Sequence, residues 1–587
     1  MILPPEGPVY DAIIVGAGAA GCVLAGRLSE NTDKKILVLE AGPDAPPGHE
    51  HPDIRDSFPV SLGNPRFMWQ NLIAEIGADL GRGAPRASRP FVQGYGVGGG
   101  SNVQGMFAVR GLPEDYDEWR DLGAPGWGWD DVLPYFKKLE HDLDFLGPLH
   151  GAEGPIPIRR TPPDEWAPFC KAVSFAIARR GYPAIADYNG EFGEGQSSMP
   201  MANFKDRRVS ASMAYLPAAV RRRPNLTVVS DTTVERLRFE EGRVSGVTAR
   251  TASVTREFAG REIILSCGAL QTPALLMLSG IGPGENLRAV GVEVVRDVQG
   301  VGRNLQNHPK VQDIAVHLPR SSMQPRQQHT LAQNCLRYSS NVEDCGPKDM
   351  FIASLNKASW HPLGARIGVI AVAIHKPYSK GVVDLASADP KAPPRIRFNT
   401  LSDDRDFKRL VGGLRLALEL LRDPDVAAVR NEPFLPQGKI VGRLAKRSTK
   451  AWLQALGIAS LFDVAPLRRR LLKGLTIDID ALVADEAALR AMVLNRVELS
   501  RHVCGTCKMG LPSDPCAVVD TSGRVHGVEG LRVADASVFP TLMRANTHIP
   551  VLMVAEKMAD HLKSDWRETN TTTRVLSHRS GAPVAQE

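Results

Sequence analysis

The chain has 587 residues, 43% hydrophobic and 23% charged, with 54 Gly and 44 Pro; it is too long for one compact core and too apolar for a disordered or fibrous chain, so two or more domains are expected. Lys and Arg exceed Asp and Glu by 71 − 65 = 6, a balance that calls for neither nucleic acid nor a membrane as partner. The eight cysteines are thinly spread and read as reduced thiols; with no secretory pattern and no apolar run near the roughly 20 residues of a spanning helix, a cytoplasmic protein is expected.

Residues 10–15 read as a buried strand, Gly16-Ala17-Gly18-Ala19-Ala20-Gly21 as the turn into a helix ending near 27–30, and 36–39 as the next strand, followed by Glu40 and Ala41. A lone Gly-x-Gly-x-x-Gly is a weak signal. Here it follows a strand, opens a helix and has an acid 19 residues beyond Gly21, which together make a dinucleotide fingerprint. The glycines let a pyrophosphate approach the amides at the helix N-terminus. Glu40, with no Arg beside it, fits the adenosine ribose of NAD or FAD rather than a 2′-phosphate.

The run Gly94 to Met106, with Gly98, Gly99, Gly100, Ser101, Val103, Gln104 and Gly105, is too rich in glycine to hold a core and must lie against something flat or charged. A strand over 262–266 leads into Gly268, Thr272 and Pro273, with Pro273 placed for a helix's first turn and Gly280 for its end. Short strands are expected over 369–374, 381–386 and 395–398, and a helix over 406–422. Between 438 and 474, nine Lys and Arg residues face Asp463 alone, interleaved with Trp452, Leu453, Leu456, Leu461 and Phe462. This stretch reads as an amphipathic helical excursion with a solvated basic face; an anionic-lipid or protein-docking surface and a lid over the site are the alternatives. Residues 567–587, Thr-rich and carrying Ser-Gly-Ala-Pro close to the end, read as a disordered tail.

With Arg110-Gly111, the run Gly300 to Pro309 that contains His308, and Leu531 to Pro540, these motifs resemble the glucose-methanol-choline oxidoreductase family from Tyr10 to about His561. Residues 110–119, 126–136 and 148–159 are most similar to its 5-(hydroxymethyl)furfural oxidase and aryl-alcohol oxidase branch. The resemblance implies an α/β (α+β) fold: a discontinuous Rossmann-like FAD-binding domain over 8–160, 205–310 and 500–566, and a substrate domain built on an antiparallel sheet over 161–204 and 311–499. It implies FAD contacts at Gly16, Gly18, Ala19, Ala20, Gly21, Glu40, Ala41, Gly98, Gly99, Ser101, Val103, Gln104, Gly105, Met106, Val234, Asp535, Ala536, His548 and Pro550. The chain departs from the family pattern at Gly100 and Gln104, which stand where a Ser and an Asn are usual. Val103 stands where members with covalent FAD carry a His, so noncovalent FAD is expected.

His502, in His502-Val-Cys504-Gly505-Thr506-Cys507-Lys-Met509-Gly510, matches the histidine that faces the flavin in this family. His548, in Asn546-Thr-His548-Ile-Pro550, is placed as its partner. An alcohol cannot deliver hydride until its hydroxyl proton is leaving, and imidazole is the side chain poised to take it near neutral pH. His502 is therefore expected as general base, with hydride passing to flavin N5 and His548 holding the substrate oxygen. Arg501 is expected to point away, since neighbours on an extended segment face opposite ways. Cys504 and Cys507 could suggest zinc or a redox pair, but the family frame accounts for the segment and no metal is expected. The implied reaction is oxidation of primary aryl or furanic alcohols to aldehydes, with O2 or another acceptor taking the electrons. The alternatives are an FAD-containing hydroxynitrile lyase and a choline-type or other alcohol dehydrogenase.

Overall fold

Tyr10–Val15, Ile36–Leu39 and Leu226–Val229 lie side by side and parallel. All four residues of Ile36–Leu39 are buried, as a strand covered on both faces requires. On the other flank, the last residues of Val254–Leu265 pair in parallel with Tyr10–Val15 and with Leu531–Val533. The first half of the same long strand turns away into an antiparallel meander with Arg243–Thr251 and Thr232–Glu240. The computed structural model describes residues 2–3, 8–77, 88–325, 328, 330–436 and 444–579.

Helix Ala19–Leu28 packs on the parallel sheet and against the C-terminal helix His548–Arg579. Glu556 of that long helix, fully buried, accepts from Arg27 Nε at 2.9 Å and from the Tyr215 hydroxyl at 2.8 Å. The long helix runs on through 567–579, which composition marked as a tail; once a packed segment has nucleated a helix, each further residue adds a bond at little cost. Residues 580–587 of that expected tail lie outside the described residues.

Helix Gly268–Leu278 begins earlier than expected, which puts Pro273 in its interior rather than its first turn. A proline there leaves the carbonyl four residues back without its N–H. That carbonyl, Ala269 O, accepts from Thr506 Oγ1 at 2.7 Å, 237 residues along the chain. Gly280 follows the helix in the left-handed region, φ 82°, as an end signal should.

A second, antiparallel sheet runs Pro433–Phe434, Ile314–His317, Ile367–Ile374, Met350–Leu355, Asn334–Tyr338, Gly195–Ser198. Pro309–Val311 bridges Ile367–Ile374 to Val497–Leu499. Helix Asp404–Arg422 packs its buried face on Ile367–Ile374. A four-stranded sheet joins Val382–Asp384 and Arg395–Thr400 to Ile73–Gly77 and Ser88–Pro90, so it straddles the boundary drawn between the two expected domains. One continuous apolar core runs through both large sheets. The fold is α/β (α+β): a Rossmann-like parallel layer beside an antiparallel one. Among the described residues no helix is long and apolar enough to cross a membrane.

Candidate active site

A cavity of about 770 Å³ opens where the parallel strands end, between Val15, Glu40 and Ser266 on one side and Phe351, Ala353 and Ala371 of the antiparallel sheet on the other. Open α/β sheets place ligands at such carboxyl ends.

One half of the cavity is backbone. Gly18 caps helix Ala19–Leu28 in an extended conformation with no side chain bonded to the first-turn amides. Those donors carry the positive end of the helix dipole. A Cβ on Gly21 would lie 1.9 Å from Gly16 O, and one on Gly99 (φ +49°) 2.8 Å from Gly18 Cα; the two glycine loops therefore pack directly on each other. Glu40 accepts from the N–H groups of Ala17 (2.8 Å), Gly42 (2.9 Å) and Gly96 (3.3 Å). Its burial raises its pKa while these bonds oppose the rise. Arg208, which sequence reasoning missed, is fully buried and donates to Ser101 O at 3.1 Å and Gln104 O at 2.7 Å, pinning the second glycine loop. Burial pulls its guanidinium down to about 9, so it stays charged near neutrality. Asp535 accepts from Gly268 N (2.8 Å), Thr272 Oγ1 (2.6 Å) and Ser537 N (2.7 Å), tying the late segment to the start of helix Gly268–Leu278.

Of the residues singled out from sequence, Gly16, Gly18, Ala19, Ala20, Glu40, Ala41, Gly99, Ser101, Val103, Gln104, Gly105, Val234, Asp535, Ala536, His502 and His548 line the cavity. Gly21, Gly98, Met106 and Pro550 stand behind the wall. Gly21 lies under Gly16, Gly98 donates to Ala17 O at 2.7 Å, Met106 is fully buried and Pro550 sits in the first turn of the C-terminal helix.

Three buried polar atoms on the cavity lining, Gln104 Nε2, Asn546 Oδ1 and His548 Nε2, have no hydrogen-bond partner. Buried polar groups are normally paired, so the lining calls for a ligand carrying donors and acceptors. A helix N-terminus without a side-chain cap, an acid at the next strand's end and these unpaired groups fit FAD.

The other half is a chain of imidazoles. His308 Nε2 lies 3.1 Å from Met543 O, and a carbonyl only accepts, so Nε2 carries the proton. Burial first, then the neighbouring His375, holds His308 neutral well below the usual histidine range, which leaves its Nδ1 a bare acceptor. His502 Nδ1, 2.8 Å away, must therefore donate. Desolvation, then His308, Arg501 and Lys310, keeps His502 neutral too. Its Nε2 is thus unprotonated, and it accepts from Asn546 Nδ2 at 3.0 Å. His375 stacks between His308 (centroids 4.7 Å apart) and Phe351 (4.3 Å) and holds the row in place.

Asn546, not His548, is the residue the structure joins to His502. Asn546 lies in the turn before the helix, whereas His548 begins the helix and has no hydrogen bond to His502. Burial, then Arg208, pulls His548 down to about 3, so it is neutral. Arg501 also departs from expectation. It has a left-handed backbone (φ 66°), not an extended one, and lines the cavity while remaining exposed. Cys504 and Cys507 are buried free thiols. Among the described residues the one grouping of possible metal ligands is Glu140, Asp142 and His150, and Arg110 and Arg160 already pair with its carboxylates.

The GMC oxidoreductase family models match residues 10–310 and 377–555. The chain belongs to the GMC oxidoreductase family. It is accordingly an FAD-dependent oxidoreductase acting on CH–OH groups. This oxidoreductase is 37% identical to a 5-(hydroxymethyl)furfural oxidase of Methylovorus sp. (strain MP688), over 94% of this chain and 98% of that one. It is 33% identical to an oxygen-dependent choline dehydrogenase of Sinorhizobium medicae (strain WSM419), over 94% and 95%. A solved pyridoxine 4-oxidase from Mesorbium loti superposes with a TM-score of 0.76 at 28% identity, covering 94% of this chain and 98% of that one.

Proposed function

We propose that the oxidoreductase converts primary aryl or furanic alcohols to aldehydes, with His502 as the base, Asn546 as its partner, noncovalent FAD and O2 as the terminal acceptor. The observation that carries this reading is the unprotonated Nε2 of His502, set by the Met543–His308–His502 relay and bonded to the Asn546 amide. Bound FAD supplies the two-electron acceptor for the hydride. The alcohol hydroxyl takes the place of the Asn546 amide at His502 Nε2, which accepts its proton, and the resulting imidazolium keeps its Nδ1–H on the His308 lone pair. The displaced Asn546 amide donates to the alcohol oxygen as negative charge builds there. His548, neutral and buried on the lining, belongs to the binding wall.

Phe107, Leu331 and Phe351 give the cavity an apolar face suited to a flat ring, in keeping with the furanic substrate named for the 37% identical relative. A choline-like cation is less well served. The lining carboxylates are taken, Glu40 by backbone N–H groups, Asp313 by Lys310 and Asp535 by Gly268 and Thr272. Val103 offers no atom for a covalent flavin link.

Anaerobic addition of benzyl or furanic alcohols to the yellow protein is expected to bleach it, and air to restore the colour. A flavin that no alcohol bleaches would move the assignment to a lyase. Acid precipitation should leave a colourless pellet under a yellow supernatant; a yellow pellet would refute noncovalent attachment.

A further inference from the structure

The basic stretch is a pair of short helices, Thr449–Phe462 and Ala465–Leu471. The first buries a stripe of Ala451, Ala455, Ala459 and Phe462 against Leu363, Phe434 and Leu472. Its other face is apolar as well. Seven of the seventeen large hydrophobic residues exposed among the described residues fall between Trp452 and Leu471, with Trp452 42%, Leu453 57% and Leu456 40% exposed. Scattered exposed Leu and Val are ordinary, but such a concentration on one small element marks an interaction site.

The charges around it divide into two groups. Arg447 pairs with Asp56, Arg468 and Arg469 pair with Glu432, and Asp463 pairs with Arg320 and Arg366. Lys446, Lys450, Arg470 and Lys473 are exposed and make no ion pair with a described residue. Asp463, the one acid of the stretch, is thus already neutralised, and four cations without an ion pair among the described residues flank an exposed Trp and Leu surface.

We propose that this helix pair is a peripheral docking surface for an anionic lipid bilayer. Trp and Leu side chains enter the boundary between headgroups and acyl chains while Lys and Arg meet lipid phosphates. The chain's small net charge hides this local asymmetry. A second copy of the chain is a poorer occupant, because a two-fold contact sets a patch against itself and would oppose the same four cations. The element also adjoins the cavity. A Cβ on Gly63 would lie 2.7 Å from Ala445 O just ahead of the first helix, and the neighbouring Leu62 lines the cavity while remaining exposed. Docking therefore sets the rim of the active site beside the lipid headgroups.

The test is vesicle flotation of the flavin-loaded full chain. Vesicles with about 30% phosphatidylserine should carry it to the top of the gradient, and phosphatidylcholine alone should not. Lys450→Gln with Arg470→Gln should weaken partitioning about 25-fold, about fivefold per cation. Leu453→Ser with Leu456→Ser should weaken it at least tenfold, with flavin absorbance and alcohol turnover in solution unchanged. Failure of the wild type to float with anionic vesicles would overturn the proposal, as would flotation indifferent to both double variants. A dimer in sedimentation velocity that the serine variant abolishes, without flotation, would assign the face to a second copy and equally overturn it.

Discussion

Replacing His308 by Leu isolates the orientation of the base from the base itself. Among the described residues His308 Nδ1 is the one acceptor for His502 Nδ1–H, so the variant leaves that donor buried and unpaired, at a cost of about 1–3 kcal/mol. The opposite tautomer, with the proton on Nε2, avoids the cost. It is sterically open as well, because Asn546 Oδ1 has no partner and the amide can turn to accept. The productive tautomer should therefore fall roughly 5- to 150-fold in population, and the rate of anaerobic flavin bleaching under saturating alcohol should fall with it. Substrate affinity should barely change. His308→Asn, whose Oδ1 can occupy the place of the lost Nδ1, should recover much of the rate. Stopped-flow absorbance measures both. A His308→Leu enzyme fully loaded with flavin that bleaches within about twofold of wild type would refute the relay, since a tautomer preference of that size cannot be kinetically silent.

Removing the base itself, His502→Ala, should lower the bleaching rate about 10²- to 10⁴-fold while flavin content is retained. Because desolvation and its cationic neighbours hold His502 neutral well below 6.5, the wild-type bleaching rate should be flat from neutral pH upward and fall only on the acid side; a rate that rises steeply between pH 7 and 9 would contradict this. His150 tests stability. Burial pulls its pKa down, but bonds to Asp142, Asp187 and Glu140 push it up to about 10. A pKa raised on folding means the stabilisation is complete below the unfolded value near 6.5 and is lost as pH rises toward 10. Asp142, held low by His150 and Arg160 against its burial, loses its contribution in the other direction, as pH falls below about 4. The melting temperature should therefore decline from pH 6.5 to 9.5 in the wild type, and His150→Gln should flatten that slope; parallel curves would count against the cluster. Gly21→Ala drives a methyl to 1.9 Å from Gly16 O and should yield protein lacking bound flavin, visible as lost absorbance near 450 nm, about the usual flavin maximum.

The parts legible in the sequence are those whose cause is local. Residues 10–15 and 36–39 emerge as strands at the expected bounds because an unbroken apolar run and a glycine turn are enough to define them. Pro273 misleads because the hydroxyl that excuses it, on Thr506, arrives from the far end of the chain. Asn546 and His548 both line the cavity, and the choice between them depends on which one reaches His502 Nε2. Counting back along helical residues cannot give that, because the last turn before the helix breaks the periodicity. Arg501 misleads for a similar reason: alternation holds for extended backbone, and a left-handed residue abolishes it. His308 stood inside a recognisable motif, yet its part in orienting His502 emerges only from the contact with Met543 O.

The edge strand Leu531–Val533 has a consequence for biosynthesis. It completes a sheet whose central strand Tyr10–Val15 leaves the ribosome more than 500 residues earlier, and Asn546 and Glu556 follow later still. At about 5–20 residues per second, the nascent chain spends roughly half a minute to two minutes with its nucleotide fingerprint made and the closing strand of that layer not yet synthesised. The part of the cavity wall made by Asp535, Asn546 and His548 is thereby added only at the end of translation, and any product cut short before residue 531 lacks both the closing strand and Asn546.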